Sequence, residues 1–333
     1  MHTKTLVMMA CLLVAASGGV GEILANMVSF QYSCIDRSGT KLITLGVDQP
    51  GLPFSEGLSA VRRDYQSWNY INKQGERVLE LRANDARSFG EGLAPVQIDL
   101  KWGYIDRQGR RVIEPQFGQA GPFVEGLAAV LVGGQWGIGR WEGGKFGYIN
   151  QRGEIVIKPQ LDRVEAFSEG LAAVMEATRY YEDIPTEGKW TYIDKTGKTV
   201  LAPKVDWAFS FSQGLALVKV DKKYGYIDKS GQFVIQPQFD EAGAFQEGLA
   251  PARLGVKWGY INQQGKMVIE PRFDRAKPFA EGLAAVQVGE KWGYVDKNGA
   301  MVIPPSFDKA ASFSQGMAVV AFKDPRGVRK HFK

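Results

Sequence analysis

Six glutamates precede a glycine at one recurring place in this chain: Glu56, Glu91, Glu125, Glu169, Glu247 and Glu281. Two carboxylates are all a glycoside hydrolase needs, one as acid and the other as base or nucleophile, so these are the first residues to weigh for chemistry. Their repetition argues against it. A side chain copied six times in one local context is a structural part before it is a catalyst, and a carboxylate-dependent glycan hydrolase stays as the minority alternative. Other chemistries find less still. The histidines are His2 and His331 and the cysteines Cys11 and Cys34, so neither a Ser-His nor a Cys-His pair, nor a metal site of His and Cys, can be assembled within the repeats. No glycine-rich phosphate loop follows a strand and opens a helix, and Gly133-Gly134 and Gly143-Gly144 read as loop signals. The chain is therefore expected to be no enzyme and to carry no metal or cofactor.

What must position these residues is a repeat. A turn-closing glycine recurs at Gly39, Gly75, Gly109, Gly153, Gly197, Gly231, Gly265 and Gly299, in steps of 36, 34, 44, 44, 34, 34 and 34 residues. The period is 34, with ten extra residues inserted twice. Such a chain is one continuous array of small units that share their cores. Its 40 glycines fall mostly at fixed places of the repeat and mark turns.

Within a unit, Trp102 to Asp106 alternates, with Trp102, Tyr104 and Asp106 on one face and Gly103 and Ile105 on the other, the pattern of a strand. Burial is expected for the Trp and Tyr positions. Asp36, Asn72, Asp106, Asn150, Asp194, Asp228, Asn262 and Asp296 open the turns. Asp and Asn interchange there, which suits an acceptor of backbone N–H groups and not a charged catalyst. A second strand, residues 111–113, should stop at Pro115, which has no N–H for a ladder. Phe117 and Phe123 should plug the core from a short helical turn, and Leu127 to Val130 reads as a buried third strand. The fold class expected is all-β: a tandem array of eight antiparallel three-stranded units of about 34 residues, open and twisted, with a closed propeller-like ring as the alternative. For the ring speaks the way the first strand and the last could complete each other. For the open array speak the loose first two units and residues 318–332, which read as a hairpin capping its own end.

The motif Lys-Trp-Gly-Tyr-Ile-Asp-x-x-Gly-x-x-Val-Ile, followed by Glu-Gly-Leu-Ala-x-Val, closely resembles the bacterial WG-repeat, or KWG-repeat, family across residues 32–320. Ser33, Cys34, Asn69, Phe146, Thr191 and Tyr224 depart from the pattern. The resemblance implies a β-repeat module used as an interaction scaffold, and it brings no catalytic residues with it.

Residues 1–25 differ from the rest: Lys4, an apolar run from Leu6 to Ala16, then small residues. They read as a secretory signal, with residues 26–322 as the repeat array and 323–333 as a basic tail or capping strand. An exported protein is the expectation. An N-terminal membrane anchor, or a cytoplasmic protein translated from Met27, is the alternative. The run is too short for a comfortable membrane span, so no span is expected in the mature chain. Cleavage would leave Cys34 alone, and packing instead of disulfides must hold the fold. A net charge of +5 is mild and both signs interleave along the repeats, so nucleic acid is not an expected partner.

The breaks in the pattern remain. Residues 131–144 add Trp136, Arg140 and Trp141, and residues 175–188 add Arg179, Tyr180 and Tyr181 at the equivalent place of the next unit. The two loops should lie side by side. Trp, Tyr and Arg most often anchor interfaces, so these six residues are the candidate binding residues, and a partial duplicate of the Trp-Gly-Tyr-Ile strand making a longer hairpin is the structural alternative for the first insertion. The function expected is a scaffold presenting an extended surface to a protein or envelope-polymer partner; a purely architectural repeat is the further alternative.

Overall fold

The computed structural model describes residues 30–45, 51–62, 67–136, 141–181 and 184–323. Residues 1–25, read as a secretory signal, and the tail beyond Lys323 lie outside them, as does the second strand of the capping hairpin expected at the C-terminus.

Each 34-residue unit supplies strands to a four-stranded antiparallel sheet, and eight sheets follow one another as blades of a closed propeller. Blade 2 shows the plan: Asp85–Ala86, Leu93–Ile98, Lys101–Asp106 and Arg111–Phe117, paired in that order. Blades 3 to 7 repeat it, with third strands at Lys145–Ile149, Ile184–Ile193, Lys223–Ile227, Lys257–Asn262 and Lys291–Val295. Blade 1 has three strands among the described residues, Ser59–Arg62, Ser67–Ile71 and Arg77–Arg82. Blade 8 is made from both ends of the chain: Lys309–Ala310 and Ala318–Lys323 pair onward to Phe30–Ile35 and Lys41–Leu45. Phe30 lies opposite Lys323 and Ile35 opposite Ala318.

The open array of three-stranded units is thus overturned, and the reason is local. The additional strand, the first in the blade, is in blade 3 only two residues long, hidden in the linker that sequence pattern assigns to a helical turn: Gln119 and Ala120 pair with Leu131 and Val130. Both phenylalanines of that linker are buried, as expected, Phe117 from the end of a strand and Phe123 from the irregular stretch after Gln119–Ala120. The last strand, instead of folding on a cap of its own, finds its missing neighbour in the first strand of the chain. That pairing removes two sheet edges that an open array would leave unsatisfied.

Pro115 does not end its strand either. The register passes from Tyr104 opposite Ile113 to Trp102 opposite Phe117, so residues 114–116 bulge out and the strand crosses over Gly103 on its way to the next blade. A Cβ on Gly103 would stand 2.4 Å from the Ile113 carbonyl oxygen and 2.7 Å from Pro115 N. The Gly of Trp-Gly is the clearance for this crossing, and Gly147, Gly225, Gly259 and Gly293 meet the same backbone. The departures from Gly follow. Opposite Asn69 the strand runs from Arg77 to Arg82 with no proline and no bulge at that point, and in the blade carrying Thr191 the fourth strand stops at Leu201.

Blade is joined to blade by the tyrosine of the motif. Tyr70, Tyr104, Tyr148, Tyr192, Tyr226, Tyr260 and Tyr294 are buried to 1% exposure or less. Each hydroxyl donates to a backbone carbonyl seventeen residues on, at 2.6–2.8 Å, at the start of the next blade. Each ring also packs at 4.8–4.9 Å on the next blade's phenylalanine, as Tyr226 does on Phe245. Blade 8 has Cys34 at that place, buried and free. The Trp positions are buried at Trp68, Trp102 and Trp190 and half-buried at Trp258 and Trp292.

Candidate binding site

The repeated glutamates form a closed circle at one end of the ring. In each Glu-Gly turn the Glu has φ of 52–56° and the Gly 81–88°, with Gln213 and Gln315 taking the Glu place in two blades. Two successive positive φ angles make the tight hairpin turn that glycine favours and glutamate resists, by roughly 1–2 kcal/mol per residue. A hydrogen bond offsets that cost. Glu56 accepts from Gly92 N–H (3.0 Å), Glu91 from Gly126 (2.9 Å), Glu125 from Gly170 (3.0 Å) and Glu169 from Gly214 (3.1 Å). Gln213 accepts from Gly248 (2.8 Å), Glu247 from Gly282 (3.0 Å), Glu281 from Gly316 (2.9 Å) and Gln315 from Gly57 (2.8 Å), which returns to the start. Lysines from the Asp/Asn turns complete several links: Lys195 to Glu125, Lys229 to Glu169 and Lys297 to Glu247, at 3.1–3.2 Å. Glutamine serves as well as glutamate in the circle, so it requires an acceptor oxygen and no titratable acid. The Asp/Asn turns are equally structural: Asp106 Oδ1 accepts the N–H groups of Gln108 and Arg110, and Asn262 Oδ1 those of Gln264 and Lys266.

The opposite end carries the hairpins between second and third strands, and here the blades differ. Among the described residues four copies share one fixture, in which the Lys that opens the third strand binds the Asp seventeen residues on: Lys145 Nζ to Asp162 (2.5 Å), Lys223 to Asp240 (2.6 Å), Lys257 to Asp274 (2.6 Å) and Lys291 to Asp308 (2.8 Å). The second Asp oxygen caps the hairpin, accepting from Gly255, Gly289 and Lys323 N–H.

Both insertions are extensions of this hairpin. The first continues as a two-residue pair, Gln135–Trp136 with Trp141–Glu142, in which Trp136 faces Trp141. This bears out the longer-hairpin reading. Trp136 is 42% exposed, and Arg140 lies outside the described residues. The second lengthens its strands to ten residues each, Ala172–Tyr181 and Ile184–Ile193. Tyr180 leans from it onto the blade 3 fixture. Its hydroxyl donates to Asp162 (2.7 Å) and accepts from Lys145 Nζ (2.9 Å), which also lies 5.4 Å from the ring centroid. Burial pushes the Asp162 carboxyl up, but Ala177 N–H, Lys145 and Tyr180 outweigh it and hold the group below its ordinary range. Arg179 pairs with Glu187 at 3.2 Å on the surface, and Tyr181 is 66% exposed.

The two insertions do lie side by side, and between them opens a cleft of about 970 Å³. Gly133, Glu142 and Lys145 form one wall and Tyr180, Ile184 and Pro185 the other; Trp190 and Trp207 are also part of its lining. Of the candidate residues Tyr180 lines it, whereas Trp136, Arg179 and Tyr181 stand outside. Sequence reasoning missed Trp207, Arg163 and Glu165. Trp207 stacks on Trp190 with centroids 5.0 Å apart, and Arg163 lies 4.8 Å over Trp207 while donating to the Pro185 carbonyl at 2.9 Å. Burial raises the Glu165 carboxyl above its ordinary range. The available signal was an aromatic residue directly after Asp206, where other copies place a polar one.

With seven copies of the tyrosine link traced, a sequence comparison decides the family. The profile described as WG containing repeat matches residues 68–102, 102–136, 146–177, 190–224, 224–258, 258–292 and 292–324. The chain belongs to the WG containing repeat family. No curated protein matches it in sequence. In fold, this WG-repeat protein is similar to the computationally designed Ika8 protein, at TM-score 0.58 and 10% identity over 86% of this chain and 100% of that one. A eukaryotic initiation factor matches at TM-score 0.55 and 11% identity, over 85% and 86% of the two chains. BamB from Moraxella catarrhalis matches at 0.50 and 8% identity, over 90% and 92%. At such identities the likeness is one of fold.

Proposed function

We propose that this WG-repeat propeller is an exported, non-enzymatic scaffold, and that it holds a protein or envelope-polymer partner against the two extended hairpins of blades 3 and 4. The observation that carries the reading is a localised exception: two successive blades lengthen the same hairpin and expose Trp136, Tyr180, Tyr181 and Ile184, of which Tyr180 and Ile184 line one cleft, while neighbouring blades keep the turn short. Exposed aromatic rings grouped beside a cleft are the common anchors of an interface. The chain from residue 26 is compared with its Trp136→Ser, Tyr181→Ser double variant for capture of envelope protein or glycan. Loss of one captured species supports the site; equal capture by a folded double variant removes it.

A glycan hydrolase is the second reading, and Glu165 is the observation in its favour: an acid outside the repeat pattern, raised by burial, in the same cleft as the depressed Asp162. Paired carboxylates with divergent affinities for a proton are how such enzymes divide their roles. Release of reducing ends from envelope glycan by the wild type, abolished in Glu165→Gln, would establish it.

A further inference from the structure

A second cleft of about 880 Å³ opens on the hairpin end among blades 6, 7 and 8. Its charges do not cancel. Three carboxylates line it, and each is already engaged: Asp274 by Lys257 and Gly289 N–H, Asp308 by Lys291 and Lys323 N–H, and Glu241 by Arg253 at 2.9 Å. Arg275, Lys277 and Lys309 line the same space and have no carboxylate within ion-pair distance among the described residues. Lys309 instead stands 4.0 Å over the Phe30 ring and Lys277 5.5 Å over Trp292. Lys277 is half-buried, and burial holds its ammonium below the ordinary lysine range. A half-buried ammonium without an acceptor is costly, and an anion entering the cleft relieves that cost. Two half-buried indoles, Trp258 and Trp292, flank the cations.

Comparison by repeat position sharpens the case. Arg163 and Arg275 occupy one place of the repeat, and Glu165 and Lys277 another two residues on. The two clefts are thus built alike, with the half-buried charge reversed.

We propose that the cleft among blades 6 to 8 binds a small ligand carrying two or more anionic groups, phosphate or carboxylate, held by Arg275, Lys277 and Lys309, with its less polar part against Trp258 and Trp292. The cations supply charge-assisted hydrogen bonds and the indoles a flat apolar wall. This site is independent of the partner site proposed for blades 3 and 4.

Calorimetric titration of the chain from residue 26 with inorganic pyrophosphate and, separately, with citrate tests it, the two arms distinguishing phosphate from carboxylate. Binding of either, weakened at least about tenfold by Lys277→Met and similarly by Arg275→Gln with Lys309→Gln, is the expected result. Lys222→Met, on the exposed hairpin of blade 5, should change nothing. No heat with either probe overturns the proposal, as does equal binding by a folded Lys277→Met protein. An equal loss in Lys222→Met would reduce the effect to net charge and overturn it as well.

Discussion

The two ends of the ring use one repeat in opposite ways. At the Glu-Gly end eight turns interlock, and every copy presents nearly the same residues to its neighbour. At the hairpin end the lysine of one blade grips the aspartate that caps the next blade's hairpin, Lys223 with Asp240 or Lys291 with Asp308, and that link holds only the base of the hairpin, so the part beyond it can be lengthened or recharged, as Ala172–Tyr181 and Ile184–Ile193 are. Turns that bind one another constrain sequence, and turns anchored only at their base release it. That difference explains why both insertions, both clefts and the reversed pair Glu165 and Lys277 occur at the hairpin end.

Breaking the common framework should have the largest effect. Gly259→Val puts a side chain against the Ile269 carbonyl oxygen, 2.3 Å from where its Cβ must stand, and should cost about 3–5 kcal/mol or abolish folding, read as the midpoint of urea unfolding. Tyr226→Phe leaves the Gly243 carbonyl without its 2.7 Å donor and should cost about 1–2 kcal/mol by the same measurement.

The interlocked end is sharpened by a pair of variants. Glu247→Ala loses the acceptor for Gly282 N–H while keeping a left-handed turn, and should cost about 1 kcal/mol. Glu247→Gln should cost a few tenths at most, because Gln213 and Gln315 already do the same work in their own blades. Acid should loosen both ends. Burial pushes the Glu125 carboxyl up, but Lys195 and Gly170 N–H outweigh it, so its folded value lies below the ordinary 4.5, as that of Asp162 lies below 3.8. A depressed carboxyl stabilises the fold above its ordinary value and loses that contribution as pH falls through the folded value. Thermal stability should therefore fall as the pH drops below about 4.5, and Glu125→Gln should flatten part of that slope.

The smallest effect belongs to the decorated end. Tyr180→Phe removes an exposed hydroxyl from the Lys145 and Asp162 pair and should change stability by less than about 0.5 kcal/mol. If it costs as much as Tyr226→Phe, the contrast between the ends is wrong.

Much of this was legible in sequence because it was written eight times. The period, the Asp/Asn turns, the buried Tyr and the adjacency of the two insertions all follow from spacing and residue type. What escaped was carried by short or distant pairings. A two-residue strand such as Gln119–Ala120 has too little length to show alternation, and a proline that bulges a strand reads the same as one that ends it. Closure by Phe30–Ile35 is suggested by the phase of the repeat but not decided by it, because the register between opposite ends of the chain leaves no local signature. The clefts were hidden for a related reason: Trp207, Glu165 and Lys277 are single departures inside otherwise regular copies, and only the ring shows which departures meet.

The seam in blade 8 also sets a clock. Phe30–Ile35 emerges from the ribosome long before Ala318, the first residue of its partner, and the 288 residues between them (318 minus 30) take roughly 15 to 60 s to add. Throughout that wait an apolar strand with Phe30, Tyr32 and Ile35 has one edge unpaired, an invitation to association with other chains. Cys34 lies in that strand, next to its last residue. Burial in the finished ring lifts its thiol to about 11, so it reacts sluggishly there and readily before closure, and its alkylation rate would report the moment at which the last-made strand seals the first.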